Sequence, residues 1–163
     1  MVSELPSATQ RLLAAVPDLD TEIHFFPEGT KTAVDAANAV GCPVAAIVKS
    51  LVFIAVHEHH EEPVLGLVPG DLKLDVKAFA AVAGAVTTRR ASLEEVRSAT
   101  GYAAGGTPPF GHQTDIRVFA DDQLKRNDPL WAAGGTPNTV FPISVSELDR
   151  LAHPVWAEFS LYA

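Results

Sequence analysis

Apolar residues follow helical spacing between Ser7 and Val16, where Leu12, Leu13 and Val16 share a stripe that Pro17 closes. Thr21 to Phe26 then alternates as a strand does, and Pro27-Glu28-Gly29 ends it. An alanine-rich run from Thr30 to Val40 predicts a second helix, stopped by Gly41 with Pro43 following. Val48 to Val56 is a strong β-run. Both of its alternating sets, Val48/Ser50/Val52/Ile54/Val56 and Lys49/Leu51/Phe53/Ala55, are largely apolar, so both faces are expected to be buried.

The run His57-Glu58-His59-His60-Glu61-Glu62 is too polar to extend that strand, and apolar character resumes from Pro63 to Val68, which predicts a β-hairpin. Asp75 is placed to cap a helix reaching about Val82, and Ala85 to Arg89 reads as a short strand. Ser92 and Glu95 form an S-x-x-E capping box for a helix that ends near Gly101. The segment from Gly101 to Gly111, rich in glycine and proline, is a loop. Strands are expected at Ile116 to Ala120, Leu130 to Ala133 and Thr139 to Ile143, the last at an edge or a bulge because it contains Pro142. A second capping box, Ser144 and Glu147, opens a helix through Leu151, and Val155 to Leu161 reads as a final strand. Short helices interspersed with strands and a hairpin point to an α+β domain, not a regular doubly wound sheet.

With 163 residues, 47% hydrophobic and 20% charged, the chain suits one compact domain over residues 1–163. No apolar run is long enough to span a bilayer. The start Met1-Val2-Ser3-Glu4-Leu5-Pro6 lacks a basic n-region and an apolar h-region, and Cys42 is the single cysteine, so a cytoplasmic location without disulfides is expected. The net charge of −8 argues against broad, field-driven binding of nucleic acid, DNA in particular. Charge is unevenly spread: residues 1–69 carry −6, residues 70–126 carry +1 and residues 127–163 carry −3. A polyanion is best accommodated in the middle segment, although a solvated surface of ordinary mixed charges is the simpler reading of the charge pattern alone.

The usual catalytic signatures are missing: there is no G-x-S-x-G, no G-x-x-x-x-G-K-[ST], no H-E-x-x-H and no C-x-x-C. Cys42 sits at a predicted helix end, away from the helix N-terminus that would activate a thiol, and reads as structural. The His57-to-Glu62 cluster contains ordinary zinc ligands, but its near-contiguous residues in a turn are not expected all to converge on one ion. His112, just past the glycine loop, reads either as structural or as able to reach a ligand there. Lys49 starts an apolar strand on the face of Leu51 and Phe53, where an unpartnered ammonium is costly, so it either snorkels outward or lines a pocket and meets an anion. The loop Gly101-Tyr102-Ala103-Ala104-Gly105-Gly106-Thr107-Pro108-Pro109-Phe110-Gly111 is either a stiff connector or a cradle presenting N–H groups to an oxyanion or carbonyl.

Taken in order, Val40-Gly41, Ile47-Val48-Lys49-Ser50-Leu51-Val52-Phe53, Gly70-Asp71, Thr100-Gly101-Tyr102, Gly105 through Gly111 and Gly134-Gly135 resemble the YbaK/prolyl-tRNA synthetase-associated editing domain, over about residues 20 to 152. The resemblance implies an α+β fold with a mixed, mostly antiparallel sheet or partial barrel and flanking helices. It also implies an aminoacyl-tRNA deacylase that needs no metal and no cofactor. Such an enzyme removes a wrong small amino acid from tRNA, most often tRNA for proline, with the tRNA acceptor end as partner and prolyl-tRNA synthetase as a possible one. Catalysis in the family leans on the substrate's own ribose hydroxyl and a positioned water, which fits the missing nucleophile.

Residue by residue, the resemblance implies catalytic roles for Lys49 and Gly105 and substrate contacts from Gly106, Thr107, Pro109 and Gly134. Two positions depart from relatives. Phe26 stands where members acting on cysteinyl-tRNA carry a tyrosine, and Val140 where the domain fused in prolyl-tRNA synthetase carries a histidine. Both changes favour a small aliphatic aminoacyl group, alanine or slightly larger, and both residues are equally readable as core. Two rival readings stand beside this one: a non-catalytic module binding an aminoacyl or nucleotide-like ligand, and a metal-dependent hydrolase using His57 to Glu62.

Overall fold

A computed structural model describes residues 5–30 and 32–162. The helices are α1 (Ser7–Ala15), α2 (Ala33–Val40), α3 (Val76–Ala83), α4 (Leu93–Thr100) and α5 (Val145–Ala152). The strands are β1 (His24–Phe25), β2 (Val48–Val56), β3 (Glu61–Pro69), β4 (Leu72–Leu74), β5 (Thr87–Arg90), β6 (Arg117–Asp121), β7 (Leu130–Ala133), β8 (Thr139–Ile143), β9 (Val155–Ala157) and β10 (Ser160–Tyr162). They form a five-stranded sheet in the order β5-β2-β3-β6-β9, a three-stranded sheet β1-β8-β7 and a pair β10-β4. Five of the strand pairings are antiparallel, and only β3/β6 and β6/β9 are parallel. The sheets do not close into a barrel. This is the expected α+β class.

The two faces of β2 explain the layering. Val48, Val52 and Ile54 join a core with Leu12 of α1, Val96 of α4, Leu148 of α5 and Phe141 of β8. Phe53 and Ala55 point the other way, into a core around Phe79 of α3 with Phe119 and Phe159. Phe79 meets Phe53 and Phe119 edge-on at 5.7 and 5.5 Å, the geometry aromatic quadrupoles favour. A strand buried on both sides is what its two apolar sets predicted.

The caps follow the sequence closely. Asp75 accepts from Lys77 N and Ala78 N, and Ser92 with Glu95 makes both bonds of the capping box. At α5 only half of the second box forms: Ser144 accepts from Glu147 N, but the Glu147 carboxylate pairs with Arg150 at 2.7 Å.

Several expectations are corrected. The Thr21-to-Phe26 strand shrinks to two residues, and α2 begins at Ala33 behind the cap Thr32; Lys31 and Met1 to Glu4 lie outside the described residues. The C-terminal run divides into β9 and β10, and β4 was not anticipated because three residues carry no period. Strand β8 is central, not an edge. Pro142 is tolerated because β1 pairs only with Thr139 and Val140, so the missing N–H falls where no strand flanks that side.

Candidate functional site

Strand β5 stops at Arg90, opposite Phe53, so the edge of β2 from Val48 to Leu51 has no strand beside it. A pocket of about 420 Å³ occupies this edge. Its walls come from the start of α2, residues 47–51, Gly70, the glycine loop, β7 and Val140 of β8.

Local chain chemistry sets each wall. Thr32 accepts from Asp35 N at 3.0 Å to start α2, and Gly41, at φ 77°, ends it. The Gly70 N–H donates to Ile47 O at 2.8 Å, and a Cβ there would lie 2.5 Å from Val44 O, so only glycine lets the β3–β4 turn pass this close. In the glycine loop, a Cβ on Gly106 would lie 2.6 Å from Thr136 Cα. The loop is therefore stacked directly on the β7–β8 turn. That turn is fixed by Gly134 N–H to Thr139 O at 2.9 Å and by the Thr136 and Thr139 hydroxyls at 2.9 Å.

Lys49, Gly105, Thr107 and Val140 all line this pocket. The Lys49 ammonium donates to the carbonyl of Leu72 and has no described carboxylate within 4.0 Å. Burial lowers its pKa; the Asp71 charge opposes that shift and the Arg90 charge adds to it. Asp71 is itself held below the usual carboxylate range, chiefly by hydrogen bonds from Arg126, at 2.7 and 3.1 Å. The Gly105 and Thr107 N–H groups take no hydrogen-bond partner among the described residues, while the Thr107 hydroxyl donates to Ala103 O at 3.1 Å. Lys49 thus lines a cavity that Gly105 and Thr107, whose N–H groups are unpaired among the described residues, also border.

The remaining sequence candidates lie outside the lining. Gly106 and Gly134 sit in the stack that supports the loop. Phe26 packs with Val140, Ala36, Ala37 and Ile47 behind the wall. Pro109 faces a separate groove of about 620 Å³ that it shares with His112. His112 is half-buried there with Nε2 2.8 Å from Pro108 O, and desolvation holds its pKa down.

Sequence reasoning missed Ser50. Its Oγ is buried at the pocket without a partner among the described residues. The available signal was a hydroxyl within an otherwise apolar set.

His57, His60 and Glu62 place one potential ligand atom each within 4.8 Å of one another, so three residues of the run converge among the described residues. The hairpin causes this: His57 N–H donates to His60 O and brings the rings to 4.5 Å. The cluster sits at the far end of β2 from Lys49, roughly 25 Å away at strand rise. The Glu62 carboxylate is also engaged by Arg117, at 2.8 Å. No His, Cys, Asp or Glu lines the pocket itself among the described residues. Cys42 Sγ donates to Pro43 O, and burial pushes the thiol up, as suits a structural cysteine.

The sequence model of the aminoacyl-tRNA editing domain matches residues 27–151. The chain belongs to this family. The proline–tRNA ligase of Nitratidesulfovibrio vulgaris (strain Hildenborough) is 35% identical over 106 residues, which are 65% of this chain but only 18% of the ligase. EbsC of Enterococcus faecalis, named as a candidate Cys-tRNA(Pro)/Cys-tRNA(Cys) deacylase, is 22% identical across 83% of this chain and 80% of its own length. A crystal structure described as a candidate trans-editing enzyme for prolyl tRNA synthetase is 37% identical, with a TM-score of 0.87 over 97% of this chain and 99% of its own. The editing domain is an aminoacyl-tRNA hydrolase, and the pocket at the β2 edge is where its lysine and glycine loop meet.

Proposed function

We propose that this editing domain acts in trans on tRNA for proline, in the cytoplasm, removing a mischarged small aliphatic amino acid, alanine or slightly larger. The observation that supports the reading is that Lys49 shares one pocket with Gly105 and Thr107, whose N–H groups are unpaired, and that no carboxylate, imidazole or thiol lines it among the described residues. Lys49 holds the terminal adenosine or its phosphate, and the ester lies against the loop. A water oxygen attacks the ester carbonyl, oriented with help from the substrate's neighbouring ribose hydroxyl. Negative charge growing on the carbonyl oxygen is met by loop N–H groups, and the bond to the ribose oxygen breaks to release the amino acid and the tRNA hydroxyl.

Ala36, Ile47, Trp131 and Val140 give the pocket apolar walls. They supply contact to a methyl or short branched side chain. The experiment is deacylation of tRNA for proline charged with alanine, cysteine or proline. Turnover is expected on the alanyl ester, and preference for the cysteinyl ester would overturn the assignment. Prolyl-tRNA synthetase is the proposed delivery partner, tested by whether its addition raises the rate at limiting tRNA. The metal-dependent alternative would route chemistry through the distant His57 cluster; loss of turnover in His57→Ala together with chelator sensitivity would favour it.

A further inference from the structure

A second cavity of about 360 Å³ adjoins the reaction pocket and shares Lys49 and Leu51 with it. The rest of its lining is Phe53, Lys73, Leu74, Val76 and Arg90, giving three cations and no acid among the described residues. This is unusual in a chain of net charge −8. Five other basic side chains are paired: Arg89 with Glu95 and Glu61, Arg126 with Asp71, Arg150 with Glu147, Arg117 with Glu62, and Lys125 with Asp122; Arg11, Lys77 and Arg97 are unpaired among the described residues but lie outside this groove. Lys49, Lys73 and Arg90 have no described carboxylate within 4.0 Å.

The fold builds the groove. The turn after β3 brings β4 alongside Lys49, whose ammonium is fixed on Leu72 O, so Lys73 follows directly. Arg90 lies at the end of β5 opposite Phe53, four residues along β2 from Lys49, or about 13 Å at strand rise. Its guanidinium lies 5.7 Å from the Phe53 ring centroid, within cation–π range, with the charge left available. Like charges gathered on one edge repel one another, and Arg90 adds to the downward pressure on the Lys49 pKa. A bound anion relieves that repulsion.

We infer that the groove formed by Lys49, Lys73 and Arg90 is a phosphodiester track that holds the single-stranded acceptor end of tRNA as it leads into the reaction pocket. The inference rests on the proposed deacylase reading for what occupies the pocket, and it adds where the preceding backbone runs. It also explains how an acidic protein accepts RNA: contact is confined to one short cationic edge, and the rest of the surface repels the tRNA body.

The test measures binding and turnover separately, in the full chain. Binding is read by fluorescence anisotropy of a 5′-labelled single-stranded RNA ending in CCA over a salt series, with the parent, the Lys73→Ala/Arg90→Ala double variant and the charge-reversed Lys73→Glu. Thermal melts verify that each is folded. The double variant is expected to bind about tenfold more weakly, with a log–log salt slope shallower by about 1.4, the value for two lost single-strand phosphate contacts. In turnover, KM for alanyl-tRNA rises and kcat holds, whereas hydrolysis of 2′(3′)-O-alanyl-adenosine, which has no phosphate, is unchanged. Unaltered affinity and slope in folded double and charge-reversed variants overturn the track, as does a parent that binds the RNA without salt dependence. RNA binding that responds to these variants, in a protein that hydrolyses no aminoacyl-tRNA, upholds the track and refutes the deacylase reading.

Discussion

Lys49 and Leu72 are joined by a hydrogen bond from the Lys49 ammonium to the Leu72 carbonyl, across the turn that connects β3 to β4. The cation is therefore held by a backbone dipole and not by a carboxylate. A carboxylate partner would neutralise it; a carbonyl fixes its position and leaves the positive charge uncompensated.

That arrangement sets a pH signature. Burial and the Arg90 charge lower the Lys49 pKa, and Asp71 raises it. If the ammonium form is the active one, kcat/KM corrected for spontaneous ester hydrolysis falls on the alkaline side at a pH below the ordinary lysine value. Asp71→Asn removes the raising charge and should move that limb to lower pH, whereas Arg90→Ala should move it to higher pH. Shifts in the opposite senses would exclude Lys49 as the titrating group. In the folding equilibrium the same depressed pKa makes charged Lys49 a cost, relieved as pH rises through its folded value.

The two adjacent glycines of the loop should respond differently. At Gly106 a Cβ would meet Thr136 Cα at 2.6 Å, and both partners are backbone, so Gly106→Ala must displace the loop from the β7–β8 turn. A loss of about 1–3 kcal/mol in urea unfolding is expected, with turnover reduced. At Gly105 nothing lies within 4 Å, and the cost is only that of φ 85°. Gly105→Ala should cost about 1 kcal/mol, and a larger loss than Gly106→Ala would contradict the stacking account.

Helix α4 is remote from the pocket lining and depends on its capping box. Ser92→Ala should lower stability by about 1 kcal/mol in chemical denaturation and leave kcat unchanged. Glu95, on the other side of the box, is held down to about 2 by Arg89 and by the Ser92 N–H. Its stabilising contribution is present above the ordinary glutamate value and lost as pH falls through about 2, so the acid limb of the unfolding profile should flatten in Glu95→Gln.

Strands β2, β7 and β8 and the caps Asp75 and Ser92 were legible in the sequence because period, length and cap chemistry agree there. The central position of β8 was hidden because Pro142 signals an edge, and only the short reach of β1 shows why the proline is allowed. In the site, Lys49 and the glycine loop stood out as a cation in an apolar strand and a run of permissive residues. Their meeting is long-range: it requires β5 to end at Arg90 and the loop to stack on Thr136, and neither event leaves a local pattern. Which residues of the His57-to-Glu62 run meet was hidden for a similar reason, since chain proximity alone does not give the ring directions that the hairpin fixes.

The proposed hydrolysis of a mischarged ester on tRNA depends on Lys49 at the open edge of β2. Single-turnover deacylation of alanyl-tRNA for proline, comparing the parent with a folded Lys49→Ala variant, tests it most directly. A parent rate well above spontaneous hydrolysis is expected, with a loss of roughly 10²–10³ in the variant, the scale of removing one preorganised electrostatic contact. Parent-like turnover by Lys49→Ala would contradict it.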